Sequence, residues 1–128
     1  MTIRKTVMVC DDEVDLLYLF KSALEPIYDV LAVESGRGCI EKFIEERLKG
    51  KKVDVLLLDY KLGDMLGDTV ACKIHELNGV KTFLISAYEL EQAVVSHLME
   101  RRCIIGVMRK PIRMSVMIKE LEKALDVS

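Results

Sequence analysis

The chain has no surplus of basic charge, no long apolar run and no clustered cysteines, and each absence removes a class of function. Its 19 Lys and Arg against 21 Asp and Glu leave a net charge of -2. That balance lacks the positive excess needed to hold a phosphate backbone, so direct contact with nucleic acid is not expected. The longest wholly apolar runs, Leu16 to Phe20 and Val55 to Leu58, are far short of the ~20 residues that span a bilayer. The N-terminus has no apolar signal-peptide region, and a cytoplasmic location without membrane insertion is therefore expected. The four cysteines, at positions 10, 39, 72 and 103, never form CxxC and never stand with a clustered His. Neither a zinc site nor a redox pair is suggested, and reduced, buried thiols are expected.

What is present is a composition that folds. Hydrophobic residues make up 51% and charged residues 31% of 128 residues, which predicts one domain over residues 1–128 that buries about 65–70% of its unfolded surface. Short apolar runs alternate with amphipathic segments, the pattern of a βα repeat. Strands are predicted near Thr6–Cys10, Asp29–Val33, Val53–Leu58, Lys81–Ile85 and Ile104–Met108. Helical stripes fall at Ile40, Phe43, Ile44 and Leu48, at Leu90, Val94 and Leu98, and at Met117, Ile118, Leu121 and Leu125. Pro26, Ser35-Gly36, Gly50 and Asn78-Gly79 mark helix ends. Strands apolar on both faces, each followed by a helix, predict a doubly wound α/β domain around a parallel sheet.

In such sheets ligands bind beyond the carboxyl ends of the strands, and polar residues gather there. Strand one runs into Asp11-Asp12-Glu13, strand three into Asp59, strand four into Ser86, and strand five into Lys110-Pro111. Three carboxylates within ~4 Å of one another repel by about 4 kcal/mol per pair at an effective dielectric near 20, so the group calls for protonation or a cation. Mg²⁺, which takes one or two carboxylates and leaves room for water and phosphate oxygens, suits it. Asp59 can then act as a carboxylate nucleophile toward phosphorus, with Lys110 as a point charge and the Ser86 hydroxyl as a donor to a phosphoryl oxygen.

Asp11 and Asp12, Asp59, Ser86 with Ala87, and Lys110-Pro111, in this order and spacing, resemble the receiver domain of two-component response regulators, over the entire chain. Gly67, eight residues after Asp59, matches the family's glycine in the loop that follows the phosphoacceptor. The resemblance implies a flavodoxin-like (βα)5 fold with a five-stranded parallel sheet of order 2-1-3-4-5. It implies that Asp12 binds Mg²⁺ directly, Asp11 mainly through water, and the backbone carbonyl of Lys61 completes the protein ligands. Asp59 would bind the metal and accept a phosphoryl group from a sensor histidine kinase or phosphotransfer protein. Ser86 would move toward the phosphoryl group, Lys110 would hold it, and a cis bond is expected before Pro111. A receiver of this type catalyses its own phosphotransfer and dephosphorylation without being a turnover enzyme. Because the chain ends at Ser128, soon after the fifth helix, a stand-alone receiver is expected, as a monomer or a phosphorylation-dependent homodimer. It would present the face of the fourth helix and fifth strand to a downstream protein.

Four positions depart from or tune the family pattern. Val107 stands where the family usually has Tyr or Phe, whose inward rotation accompanies the Ser or Thr movement. Gly63 replaces a common Pro. Lys61 and Tyr88, two residues after Asp59 and Ser86, occupy positions that set phosphoryl lifetime, and a bulky Tyr88 is expected to restrict attacking water. The absent aromatic keeps an alternative open, a receiver-like interaction module acting independently of phosphorylation. A phosphohydrolase with an aspartate nucleophile is disfavoured, since Lys61 stands where a second Asp is wanted, and Gly36 and Gly38 lack the third Gly of a dinucleotide fingerprint. Tyr18 and Leu19 add apolar surface beside the first helix's core stripe of Leu16, Leu17, Phe20 and Leu24, and His75 and His97 are expected on the surface without partners.

Overall fold

Alternation of side chains across a strand decides which residue faces which helix layer, and each central strand here is apolar on both sides. A computed structural model describes residues 4–126. In chain order the elements are β1 (Thr6–Cys10), α1 (Val14–Leu24), β2 (Asp29–Val33), α2 (Gly36–Leu48), β3 (Val55–Asp59), α3 (Gly67–Asn78), β4 (Lys81–Ser86), α4 (Gln92–Glu100), β5 (Gly106–Arg109) and α5 (Met114–Asp126). All strand pairs are parallel, in the order β2-β1-β3-β4-β5, so the doubly wound sheet expected from the sequence is the one observed.

Met8, Cys10, Leu56, Leu58 and Leu84 point to one face and pack with Cys39 and Phe43 of α2, Val70, Ala71 and Ile74 of α3, and Leu98 of α4. Val7, Val9, Val55, Leu57, Phe83, Ile85 and Met108 point to the other, against Leu17, Phe20 and Leu24 of α1 and Met117 and Leu121 of α5. Two cores thus clamp the sheet, and each buried Leu, Ile or Phe contributes about 1.5–3 kcal/mol of transfer free energy.

Boundaries differ from expectation where burial does not require pairing. Val53 and Ile104 are buried, at 6% and 2% exposure, yet lie outside β3 and β5. The apolar stripe of α2 is incomplete: Phe43 is buried, but Leu48 is 83% exposed near the helix end. Leu16 is only half-buried, while Tyr18 and Leu19 are exposed as expected. His75 is also half-buried, with an Nδ1 that is shielded and unpaired, rather than a surface residue.

The cysteines divide. Cys10 and Cys39 are free and buried, as expected, whereas Cys72 of α3 and Cys103, in the turn before β5, form a disulfide with Cα atoms 4.7 Å apart. The fold brings together residues separated by 31 positions, a proximity that spacing alone does not encode.

Candidate functional site

The C-terminal edge of the sheet gathers the polar residues singled out above. Asp11 follows β1, and its backbone N–H donates to Val33 O while its Oδ1 accepts from Glu13 N at 2.9 Å. The residue flanking α1 is Glu13, whose side chain makes no cap. Asp12 is exposed, with its carboxylate in the cluster. Asp59 is the last residue of β3, and carboxylate oxygens of Asp11, Asp12 and Asp59 all lie within 4.8 Å of one another.

Lys110 ties this group together. Its Nζ is 3.0 Å from Asp11 Oδ2 and 3.0 Å from Asp59 Oδ1, with Glu13 Oε1 at 3.8 Å. Its backbone N–H donates to Ser86 O at 2.8 Å, and the Lys110–Pro111 bond is cis, as expected. Burial pushes the Asp59 carboxyl up to about 6, reinforced by the charges of Asp11 and Asp12 and opposed by the Lys110 ammonium. Burial alone would lower the Lys110 ammonium, but hydrogen bonds and charges from Asp59 and Asp11 outweigh it and hold the group above its ordinary value. The site therefore holds a partly neutralised cluster of negative charge, two of its three carboxylates buried.

Ser86 ends β4, and its side chain turns to its own chain. The hydroxyl donates to Tyr88 O at 2.7 Å and accepts from Tyr88 N at 3.0 Å. Ala87 is exposed, and its carbonyl accepts from Arg109 Nε. Tyr88 is 56% exposed, and Lys61 Nζ lies 4.3 Å from its ring centroid, a cation–π contact between the residues two positions after Asp59 and two after Ser86. Val107, paired in register with Leu84, is 37% exposed. Beside Lys110, Leu16, Leu19, Phe20 and Ile112 line an open groove of about 530 Å³ between α1 and the loop after β5.

The loop from β3 to α3 closes on itself through an antiparallel bridge between Lys61 and Leu66 and through Gly67 N–H to Tyr60 O at 2.6 Å. Glycine is required at 67, since a Cβ there would come within 2.5 Å of the Asp59 carbonyl oxygen. Gly67→Ala is expected to cost about 1–3 kcal/mol of stability, read from urea denaturation. An unchanged midpoint would show that the loop can shift freely.

One residue that sequence reasoning passed over belongs to this neighbourhood. Asp64, at the loop's tip, accepts from Gly36 N and Arg37 N, each at 2.9 Å. These backbone bonds hold its carboxyl below the usual carboxylate range. An Asp after Gly reads as turn chemistry, and nothing in the spacing signals partners 27 and 28 residues upstream.

A family model for the response regulator receiver domain matches residues 7–122. No curated protein matches the chain. Among solved structures, the signal receiver domain of a LuxO repressor protein from Vibrio parahaemolyticus is 25% identical, with 97% of this chain and 92% of that one covered at a TM-score of 0.82. The response regulator TrrA from Thermotoga maritima, in complex with Mg²⁺ and BeF, is 24% identical, with 94% and 99% covered at 0.79. The CheX–CheY–BeF3–Mg²⁺ complex from Borrelia burgdorferi contains a chain 19% identical, with 93% and 87% covered at 0.81. With the family model spanning all five strands and the acidic pocket at their carboxyl edge, the chain belongs to the receiver domain family of two-component response regulators.

Proposed function

We propose that this chain is a Mg²⁺-dependent aspartyl phosphoacceptor, in which Asp59 takes a phosphoryl group from a phosphohistidine and switches a protein-binding face. The observation that carries the reading is Lys110 Nζ at 3.0 Å from both Asp11 and Asp59, beside a third carboxylate. The donor set fits the ion, because three carboxylates converge with only oxygen ligands on offer. Asp12 would hold it directly and Asp11 mainly through water, with Asp59 and the Lys61 backbone carbonyl completing the protein ligands. When bound, Mg²⁺ offsets charge on the transferring oxygens.

The Asp59 carboxylate forms the new O–P bond as the P–N bond of the donor breaks, and the electron pair leaves with the imidazole. Lys110 moves from Asp59 Oδ1 to a phosphoryl oxygen, keeping its charge where negative charge accumulates. Ser86 can donate to that oxygen only by giving up the bond it donates to Tyr88 O, which frees that carbonyl. The groove beside Lys110 gives a histidine-bearing partner helix apolar surface next to the nucleophile. The donor would be a sensor histidine kinase or phosphotransfer protein, and the output face that of α4 and β5. Ongoing turnover of a separate substrate is not part of this role.

Tyr88, with Lys61 against its ring, is suited to keeping water from the acyl phosphate. Tyr88→Ala is expected to speed loss of the phosphoryl group several-fold, followed by intact mass over time. Unchanged or slower decay would remove Tyr88 from lifetime control. Val107, too short to rotate inward as an aromatic does, favours a second reading in which the face docks its partner without phosphorylation.

Titrating beryllofluoride and Mg²⁺ into ¹⁵N-labelled protein tests the proposal. Expected are Mg²⁺-dependent shifts of the Ser86, Tyr88 and Lys110 amides that vanish in Asp59→Asn. Identical shifts in wild type and variant would count against Asp59 as acceptor.

A further inference from the structure

We infer that Asp64 is a positioning residue for the metal and phosphoryl site, clamping the β3–α3 loop onto the N-terminus of α2 so that Lys61 is held at the proper height beside Asp12. The inference rests on the proposed Mg²⁺-dependent reading of the site and adds a residue to it.

The ligands proposed for Mg²⁺ come from two separate stretches of chain, Asp11-Asp12 after β1 and Asp59 to Lys61 at the end of β3. Sheet pairing fixes Asp59, whose strand is hydrogen-bonded on both sides, but it does not fix the loop beyond. The bridge between Lys61 and Leu66 closes that loop into a small unit of its own. At its tip Gly63 lies against Asp12, since a Cβ on it would sit 3.6 Å from Asp12 Oδ2. The next residue, Asp64, spends both carboxylate oxygens on the backbone N–H groups of Gly36 and Arg37.

Those donors belong to a helix end that already has its own cap. Ser35 Oγ accepts from Gly38 N at 2.9 Å, the local solution to the unpaired first-turn donors. Asp64 is thus a second acceptor brought from another loop. The Arg37 guanidinium is turned to Glu41, so the clamp is made with backbone only. Met65 packs against Gly36 in the space a side chain there would fill, adding a nonpolar seat beside the polar one. The same helix end is tied to the chain that leads into Asp11: Cys10 Sγ donates to Ser35 O at 3.2 Å, and Asp11 N donates to O of Val33, the last residue of β2, at 3.1 Å. The start of α2 is therefore the common anchor for both stretches, and Asp64 is the hydrogen-bonded link between that anchor and the Lys61 loop.

Cap loss and loop release can be separated, because Ser35→Ala removes a cap from the same helix end without touching the β3–α3 loop. Mg²⁺ affinity is measured by calorimetry on wild type, Asp64→Ala, Asp64→Asn and Ser35→Ala, alongside thermal melts and phosphorylation rates from acetyl phosphate at saturating Mg²⁺. Both alanine variants should lose a similar, small amount of thermal stability. Only Asp64→Ala should weaken Mg²⁺ binding, by about tenfold, the lower end of what loss of a ligand-orienting partner produces. Asp64→Asn, which keeps one acceptor oxygen, should fall between, and it stands in for the alanine variant if that one does not fold. Mg²⁺ affinity that is unchanged in both Asp64 variants, or lowered equally by Ser35→Ala, overturns the clamp while leaving the receiver reading intact. A wild type that binds no Mg²⁺ overturns both.

Discussion

Lys110→Met is expected to slow phosphorylation of the protein by acetyl phosphate about a hundredfold at saturating Mg²⁺, the scale of losing one preorganised charge at a transferring group. The ammonium sits 3.0 Å from Asp59 Oδ1 before reaction and is kept protonated by the two carboxylates it bridges. It is therefore in place where charge develops and needs little reorganisation. Removing it also leaves Asp59 with Mg²⁺ as its remaining counter-charge, which should raise the proton affinity of the nucleophile. The deficit should consequently narrow as pH rises. A rate within a few-fold of wild type, with the same pH profile, would show that Lys110 only balances charge in the resting protein.

Asp59→Asn is expected to abolish phosphorylation and, in the presence of a chelator, to make the fold more stable near neutral pH by about 1–3 kcal/mol. The sign follows from the raised pKa. An ordinary Asp titrates at 3.8, whereas burial lifts Asp59 to about 6. Between those values the folded state binds more protons than the unfolded one, so stability falls as pH rises through the window, and above it the full cost of an ionised Asp59 is present. Asparagine carries no such cost. Wild type and variant should therefore converge in urea melts as pH drops toward about 4. Adding Mg²⁺ should stabilise the wild type more than the variant, because ligand binds the folded state only. A variant less stable than wild type at neutral pH would mean that the Lys110–Asp59 pair outweighs the burial of charge.

Much of this architecture is legible in the sequence because central strands of a parallel sheet are apolar on both faces. Val7 to Cys10 and Val55 to Leu58 announce themselves without any partner in view. Strand ends are legible for a related reason: the first polar residue after such a run, Asp11 or Asp59, falls at the carboxyl edge where ligands bind, as does Lys110 just after Arg109. The limits are equally physical. Val53 and Ile104 extend apolar runs past the hydrogen-bonded ladder, because a loop can bury a side chain without pairing its backbone. The meeting of Cys72 with Cys103 and the reach of Asp64 to Gly36 and Arg37 depend on how helices and loops settle against each other. Side-chain identity at one position carries no trace of either. The inward turn of Ser86 onto Tyr88 is of the same kind, set by a hydroxyl that satisfies two backbone groups in its own turn.

The most direct test is intact-mass spectrometry after incubation with Mg²⁺ and acetyl phosphate, with wild type beside Asp59→Asn and a chelator control. The account predicts one phosphoryl adduct that requires both Asp59 and Mg²⁺. An adduct that survives in Asp59→Asn, or none in wild type from either acetyl phosphate or a phosphohistidine donor, would contradict it.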